Sequence, residues 1–327
     1  MNRSLADQVF SIRNEQEFES VAMEVFRFQA SENPVYREYL RQLQRDPADL
    51  RELRQVPFLP IDFFRTHRVV TGPSPDAVLF RSSGTTGLSG SLHHVLDRKL
   101  YERSFLECFR LFYGDPKKYC ILALLPSYLE RNDSSLVYMT DHLIRESDHP
   151  DSGFFLNKFD HLHDSLLRLR ERAQPTLLLG VTFALLDFAE RFQLNWPELI
   201  VMETGGMKGR RKELVRAEVH QRLCPAFGVS RIHSEYGMTE LLSQAYSSGE
   251  GLFRTPPWMR IVIRDPNDPF ETRNSGSGGI NVIDLANLYS CSFLETGDLG
   301  RIAGAGSFEV LGRFDHADIR GCNLLVL

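Results

Sequence analysis

Four short segments carry residue types able to handle a polyanion, a flat ring and a metal ion. The first is Arg81-Ser82-Ser83-Gly84-Thr85-Thr86-Gly87, followed by Ser89, Gly90 and Ser91. Hydroxyls interleaved with glycines let the backbone approach an anion while N–H and O–H groups converge on it, which is the chemistry of a phosphate cradle. The segment lacks the Gly-Lys-Ser/Thr ending of a Walker A loop, so the ordinary nucleotide-phosphate loop is excluded, and a flexible turn of the same composition stays open. The second segment, His233-Ser234-Glu235-Tyr236-Gly237-Met238-Thr239-Glu240, follows a short apolar run where a parallel sheet opens its ligand crevice. There Tyr236 can stack on a base and Glu240 can hold a Mg²⁺ that bridges phosphates; a solvated surface pair is the alternative. In the third, Glu295-Thr296-Gly297-Asp298-Leu299-Gly300-Arg301, Asp298 can accept both hydroxyls of a ribose, or the segment is a β-turn. The fourth runs from Gly312-Arg313-Phe314-Asp315 to Asp318-Ile319-Arg320-Gly321-Cys322.

These segments need a scaffold, and the hydropathy pattern supplies one. Residues 15–54 carry apolar side chains at three- and four-residue spacing (Phe18, Val21, Val25, Phe26), which predicts a helical start within residues 1–55. Pro57 and Pro60 exclude a continuous helix through the next apolar stretch, which reads as a packed loop. Beyond Gly114, short apolar runs at 119–125, 176–180, 199–202 and 231–233 alternate with helical stretches such as 162–172 and 212–223. That alternation predicts βαβ units and a largely parallel sheet. After Ser247 the texture changes to Gly, Pro, Asn and Ser clusters, including 274–279, between alternating strands at 280–285 and 307–311. The expected organisation is an α/β core over 1–247 and a mainly β subdomain over 248–327.

With 42% apolar and 25% charged residues, the chain has ordinary globular composition. A net charge of −5 gives no basic footprint, so nucleic acid is not an expected partner. Asp7, Glu15, Glu17, Glu19 and Glu24 exclude an uncharged secretory core near the N-terminus. The longest apolar run, 176–188, is interrupted by Asp187 and is short for a bilayer span, so no stable membrane insertion and a cytoplasmic location are expected. The five cysteines show no paired metal-ligand spacing, and four of them (Cys108, Cys120, Cys224, Cys291) sit among apolar neighbours as expected buried thiols.

In order and spacing the four segments resemble the adenylate-forming superfamily of acyl-CoA synthetases, luciferase-type enzymes and peptide-synthetase adenylation domains. Within it, the block Val56-Pro57-Phe58-Leu59-Pro60-Ile61-Asp62-Phe63-Phe64 and the closing Arg320-Gly321-Cys322 look most like the acyl-protein synthetases of bacterial bioluminescence (LuxE type). The resemblance implies an α/β fold of the adenylate-forming N-terminal type, with parallel and mixed sheets flanked by helices and a smaller β subdomain. It implies ATP and Mg²⁺ as cofactors: Ser82, Ser83, Gly84, Thr85, Thr86 and Gly87 around the phosphates, Tyr236 and Gly237 at adenine with Gly205 and Gly206 as the opposite wall. Thr239 and Glu240 would face the α-phosphate and metal, Asp298 the ribose, and Arg313 the ribose or phosphates.

The chain printed here stops at Leu327, without the mobile lid and lid lysine with which the superfamily usually continues, and the resemblance therefore implies a lidless fold. The hinge block is also shorter than usual, which leaves Asp315 and Asp318 unassigned. Cys322 is the expected acyl acceptor, its thiolate favoured by Arg313 or Arg320, with a buried inert thiol as the alternative. The implied activity is an ATP-dependent acid–thiol ligase acting on a carboxylic, preferably fatty, acid, with a protein acyl acceptor or reductase subunit as partner. Transfer to coenzyme A or a carrier thiol, and a silent nucleotide-binding scaffold, are the rival readings. His93 and His94 behind the cradle read as structural or phosphate-orienting, and residues 180–186 as an apolar channel or plain core.

Overall fold

The computed structural model describes residues 4–73, 77–82, 90–125, 133–205, 214–304 and 306–314. Its strands are β1 (Leu59–Pro60), β2 (Val78–Arg81), β3 (Leu92–Val95), β4 (Cys120–Leu124), β5 (Gly153–Phe154), β6 (Thr176–Val181), β7 (Ile200–Thr204), β8 (His233–Tyr236), β9 (Ala245–Ser247), β10 (Phe253–Arg254), β11 (Met259–Arg264), β12 (Thr272–Arg273), β13 (Gly276–Asp284), β14 (Phe293–Gly304) and β15 (Ser307–Arg313). Among the described residues β2 and β3 form a separate hairpin, and the other 13 make one mixed sheet of order β12-β11-β13-β14-β15-β10-β9-β8-β7-β6-β4-β5, with β1 beside β14. Strands β5, β4, β6, β7 and β8 are mutually parallel, and β8 turns antiparallel to β9.

The parallel strands are apolar on both sides because helices cover both faces. Alternation along each strand divides them: Ile121, Leu177 and Leu179 join one core, with α5 (Arg98–Tyr113) and α6 (Ser135–Ser147). Cys120, Leu122, Leu124 and Leu178 join the other, with α7 (Phe159–Glu171), α8 (Thr182–Ala189) and α9 (Arg216–Phe227). The expected βαβ units and parallel sheet are therefore present.

The helical start is also present, as α1 (Leu5–Val9), α2 (Glu15–Glu32) and α3 (Pro34–Gln42). Asn14 caps α2 by accepting Glu17 N–H at 3.0 Å, and Asn33 caps α3, whose Pro34 sits in the first turn where a missing N–H is harmless. The buried stripe of α2 contains one amide, Gln29, whose Nε2 donates to the carbonyls of Asn287 (3.1 Å) and Leu288 (2.9 Å). The N-terminal segment thus anchors the 287–292 loop.

Four expectations change. The proline block is not only loop: Leu59 and Pro60 pair in parallel with Leu294 and Glu295 of β14, ahead of the short α4 (Phe63–Thr66). Residues 276–279, read as a turn cluster, open strand β13, where a Cβ on Gly279 would lie 2.6 Å from Arg264 Cζ. It is close approach of the neighbouring strand, not a turn, that excludes a side chain in this stretch: a Cβ on Gly278 would stand 2.3 Å from the Arg264 carbonyl oxygen. The β-turn alternative for 295–301 also fails, because all seven residues lie inside β14. Of the four cysteines expected to be buried, Cys108, Cys120 and Cys291 are, whereas Cys224 is half-buried.

Candidate active site

A cleft of about 2030 Å³ opens at the C-terminal ends of β7 and β8. Ser82, Gly205, Tyr236, Gly237, Thr239, Glu240, Asp298 and Arg313, drawn from five separate places in the sequence, all line it. Ser83, Gly84, Thr85, Thr86, Gly87, Gly206 and Cys322, with Asp315, Asp318 and Arg320, lie outside the described residues.

The cradle segment is the connection of the β2–β3 hairpin, whose last pair is Arg81 with Leu92. Its two ends are closed by reciprocal bonds: Ser82 N donates to Ser91 O at 3.0 Å, and Ser91 N donates to Ser82 Oγ at 2.8 Å. A Cβ on Gly90 would stand 2.3 Å from Ser82 O, so the closure demands glycine at that position. The Ser91 hydroxyl in turn bonds the Glu240 carboxyl.

Tyr236 is the last residue of β8, one strand position inside the crevice rather than after the strand as expected. Its hydroxyl donates to Asp298 Oδ2 at 2.9 Å, and its ring packs edge-on against Phe308 (centroids 5.6 Å apart) and Phe253 (6.0 Å). Asp298 stands in register with Arg313 across β14 and β15, its Oδ1 3.5 Å from Arg313 Nε. Burial raises the Asp298 carboxyl, opposed by the Arg313 charge and the Tyr236 hydroxyl. Below the site, Arg264 donates to Thr296 O at 3.2 and 3.3 Å and fixes the strand that carries Asp298.

Glu240 is buried, not solvated. Burial raises its carboxyl, opposed by the Ser91 hydroxyl and by the charges of Arg313 and Arg65. Its backbone is held by Asn287, whose Nδ2 donates to Glu240 O at 2.7 Å and to Cys291 O at 3.0 Å. His93 Nδ1 donates to Thr239 O at 2.7 Å, and burial lowers this imidazole to about 4, so it stays neutral. Farther along, the Asp284 carboxylate accepts Leu242 N (2.8 Å), Ser243 N (2.9 Å) and Ser243 Oγ (2.6 Å). His93 is therefore a positioning residue for the Thr239-Glu240 turn, one of three anchors on it.

The structure adds residues that the sequence reading passed over. Glu203 is buried beneath the cleft, accepting Thr182 Oγ1 at 3.0 Å and Arg216 Nε at 2.9 Å. Arg216 also lies 4.8 Å over the Phe253 ring and donates to Val310 O at 3.3 Å, tying β7 to β10 and β15. On the opposite sheet face the Glu235 carboxyl accepts the Thr204 hydroxyl, and burial first, then the Glu203 charge, pushes it up to about 7. A detectable signal existed: both glutamates interrupt strand segments that a parallel sheet buries on both faces. Of residues 180–186, Thr182 lines the cleft while Val181, Phe183, Ala184, Leu185 and Leu186 pack into the core, so this stretch is core rather than channel.

The cleft brings together the Tyr236 ring, the Asp298 carboxyl, the guanidinium groups of Arg65 and Arg313, and the Glu240 carboxyl, and among the described residues no cluster of three or more metal-ligating side chains is present. No family model matches the sequence, and no curated protein matches it. Solved structures do match. An open conformation of 2-hydroxyisobutyryl-CoA ligase in complex with 2-HIB-AMP and CoA superposes with a TM-score of 0.64, 14% identity, over 93% of this chain and 72% of that one. The ATP-bound chimera RpMatB-BxBclM B3 gives 0.53 at 19% identity over 74% of this chain, which spans about half (49%) of that protein. McyG A-PCP complexed with phenylalanyl-adenylate gives 0.52 at 15% identity, over 84% and 51%. At these identities the likeness is one of architecture: the chain has the mixed α/β fold of the N-terminal domain of the adenylate-forming ligases.

Proposed function

We propose that this protein activates a carboxylic acid with ATP and Mg²⁺ as an acyl-adenylate and passes the acyl group to a thiol. The observation that carries the reading is the convergence of Tyr236, Asp298, Arg313 and Glu240 on one cleft in this fold. In the first step a carboxylate oxygen attacks the α-phosphorus and pyrophosphate leaves; in the second a thiolate attacks the acyl carbonyl and AMP leaves. Positioning and neutralisation of charge supply most of the acceleration of the first step. Asp298 binds the ribose hydroxyls, Arg313 and the cradle bind the phosphates, and Glu240 holds Mg²⁺, which neutralises phosphate charge when bound. The preferred acid is aliphatic, of the fatty class, and the acceptor is Cys322, followed by a cysteine of a partner protein such as an acyl reductase. Coenzyme A or a carrier thiol is the second reading, favoured by the CoA-bound ligase of the same fold.

The test is intact-protein mass spectrometry of wild type and Cys322→Ala after incubation with ATP, Mg²⁺ and a panel of acids, with pyrophosphate release followed in parallel. An ATP-dependent acyl adduct absent from Cys322→Ala supports the protein-thiol route. Pyrophosphate release with no adduct, and thioester formation on added coenzyme A, supports the second. No release with any acid removes the ligase reading.

A further inference from the structure

The short helix α4 (Phe63–Thr66) is fixed to the cleft from two directions. Ahead of it, Leu59 and Pro60 pair with Leu294 and Glu295 of β14, and Ile61 N donates to Glu295 O at 2.9 Å. Within it, the Phe64 ring is fully buried and packs edge-on against the His93 imidazole, with centroids 5.4 Å apart. His93 is the side chain that bonds Thr239 O. Residue 65 therefore leaves a fixed backbone near the Thr239-Glu240 turn, and it is an arginine that lines the cleft with Ser82, Ser91, Thr239 and Glu240.

Arg65 differs from three other arginines of the cleft in how weakly its charge is matched. Arg216 is committed to Glu203 at 2.9 Å, Arg313 stands 3.5 Å from Asp298, and Arg81 stands 3.3 Å from Asp133; these carboxylate side chains are 5%, 15% and 35% exposed. Arg65 pairs with Asp62, three residues earlier and 3.3 Å away, and that carboxylate is 58% exposed. A solvated pair of this kind holds its members weakly, so the guanidinium is available to a stronger anion. Its charge also reaches Glu240, where with Arg313 it opposes the effect of burial on that carboxyl. Among the described residues that line the cleft there is no lysine, so on this surface arginines supply the positive charge.

We propose that Arg65 is a further catalytic residue: its guanidinium bonds the phosphate chain of ATP and neutralises the charge that gathers on pyrophosphate as it leaves. The proposal rests on the ligase reading and adds to it a group from outside the four segments, carried by the helix that follows the proline block. In the step, a carboxylate oxygen forms its bond to the α-phosphorus while the bond to the bridging oxygen breaks, and the electron pair departs with pyrophosphate. No proton moves, so a permanently charged fork that matches phosphate oxygens suits the task.

Pyrophosphate release by wild type, Arg65→Ala, Arg65→Lys and Asp62→Asn, with saturating acid and varied ATP and Mg²⁺, tests this. Arg65→Ala is expected to lower kcat about 100-fold or more, with KM for ATP changed only a few-fold. Arg65→Lys keeps the charge and is expected to recover about 10-fold of that loss. Asp62→Asn breaks the same ion pair and is expected to leave kcat within about 2-fold of wild type, which separates a role on phosphate from one that merely holds α4. Thioester formation from preformed acyl-adenylate should run equally fast in wild type and Arg65→Ala, because pyrophosphate has already left. An unchanged kcat in Arg65→Ala, an equal loss in Asp62→Asn, or an equal loss in the second step overturns the proposal and leaves the ligase reading standing. If wild type releases no pyrophosphate with any acid, the ligase reading falls instead, and calorimetry with Mg²⁺ and pyrophosphate decides on Arg65. Affinity about 10-fold or more weaker in Arg65→Ala keeps the guanidinium on phosphate, and unchanged affinity removes it.

Discussion

The Tyr236 hydroxyl donates to Asp298 across 62 residues of sequence, at 2.9 Å, and this bond locks the end of β8 to β14. The tyrosine is committed at both ends, its ring edge-on to Phe253 and Phe308 and its oxygen on a carboxylate. One Asp298 oxygen is thereby occupied, and the other faces Arg313.

Tyr236→Phe keeps the ring and removes the donor, leaving a largely buried carboxylate with fewer partners. The expected cost is about 1–3 kcal/mol of unfolding free energy, with ATP affinity reduced. Asp298→Ala is expected to weaken ATP by about 10-fold or more, equivalent to ~1.4 kcal/mol. Unchanged ATP binding by Asp298→Ala in calorimetry would remove Asp298 from the nucleotide site.

Gly90→Ala tests the closure of the cradle. Its Cβ would meet Ser82 O at 2.3 Å, a backbone atom that cannot swing aside, so the Ser82–Ser91 bonds must open. ATP binding is expected to fall about 10-fold or more, for a stability loss of about 1–3 kcal/mol. Gly153→Ala, on a strand with open space at the Cβ, is the matched control and should leave both unchanged. Normal ATP affinity in Gly90→Ala contradicts the assignment of this hairpin to phosphate.

Much of this was legible in the sequence where chemistry and periodicity coincide. The apolar runs fixed β4, β6 and β7 within a residue or two because a strand covered on both faces has no polar alternative. That Ser82, Tyr236, Glu240, Asp298 and Arg313 would line one cleft was legible, because the segments that carry them combine glycines with hydroxyls and charges. Asn287 was not, since its importance comes from partners met only in three dimensions, the carbonyls of Glu240 and Cys291. Glycines 278 and 279 misled for the same reason, the cause being an arginine on a neighbouring strand.

Asn287→Leu preserves volume and removes both donors of the amide, leaving Glu240 O and Cys291 O without them. A destabilisation of about 2–4 kcal/mol is expected from two orphaned carbonyls. Because Glu240 is then less well positioned, the Mg²⁺ concentration giving half-maximal pyrophosphate release should rise several-fold. A fall in thermal stability with an unchanged Mg²⁺ dependence would show Asn287 to be structural only.

Glu235 makes stability depend on pH in a direction opposite to that of an ordinary carboxylate. Its folded value is about 7, against 4.5 when unfolded, chiefly because burial disfavours the charge. Between those values the folded chain keeps a proton that the unfolded chain releases. The contribution is therefore full below pH 4.5 and lost as pH rises through about 7. His93 and His233, both lowered by burial to about 4, act in the opposite sense below the usual histidine range. The useful quantity is thus the difference between wild type and Glu235→Gln, in which the histidine contributions cancel. From about pH 4 to pH 8, wild type should lose about 3 kcal/mol relative to Glu235→Gln, measured by denaturant unfolding. A difference that stays flat across that range would mean that Glu235 is ionised in the folded protein throughout.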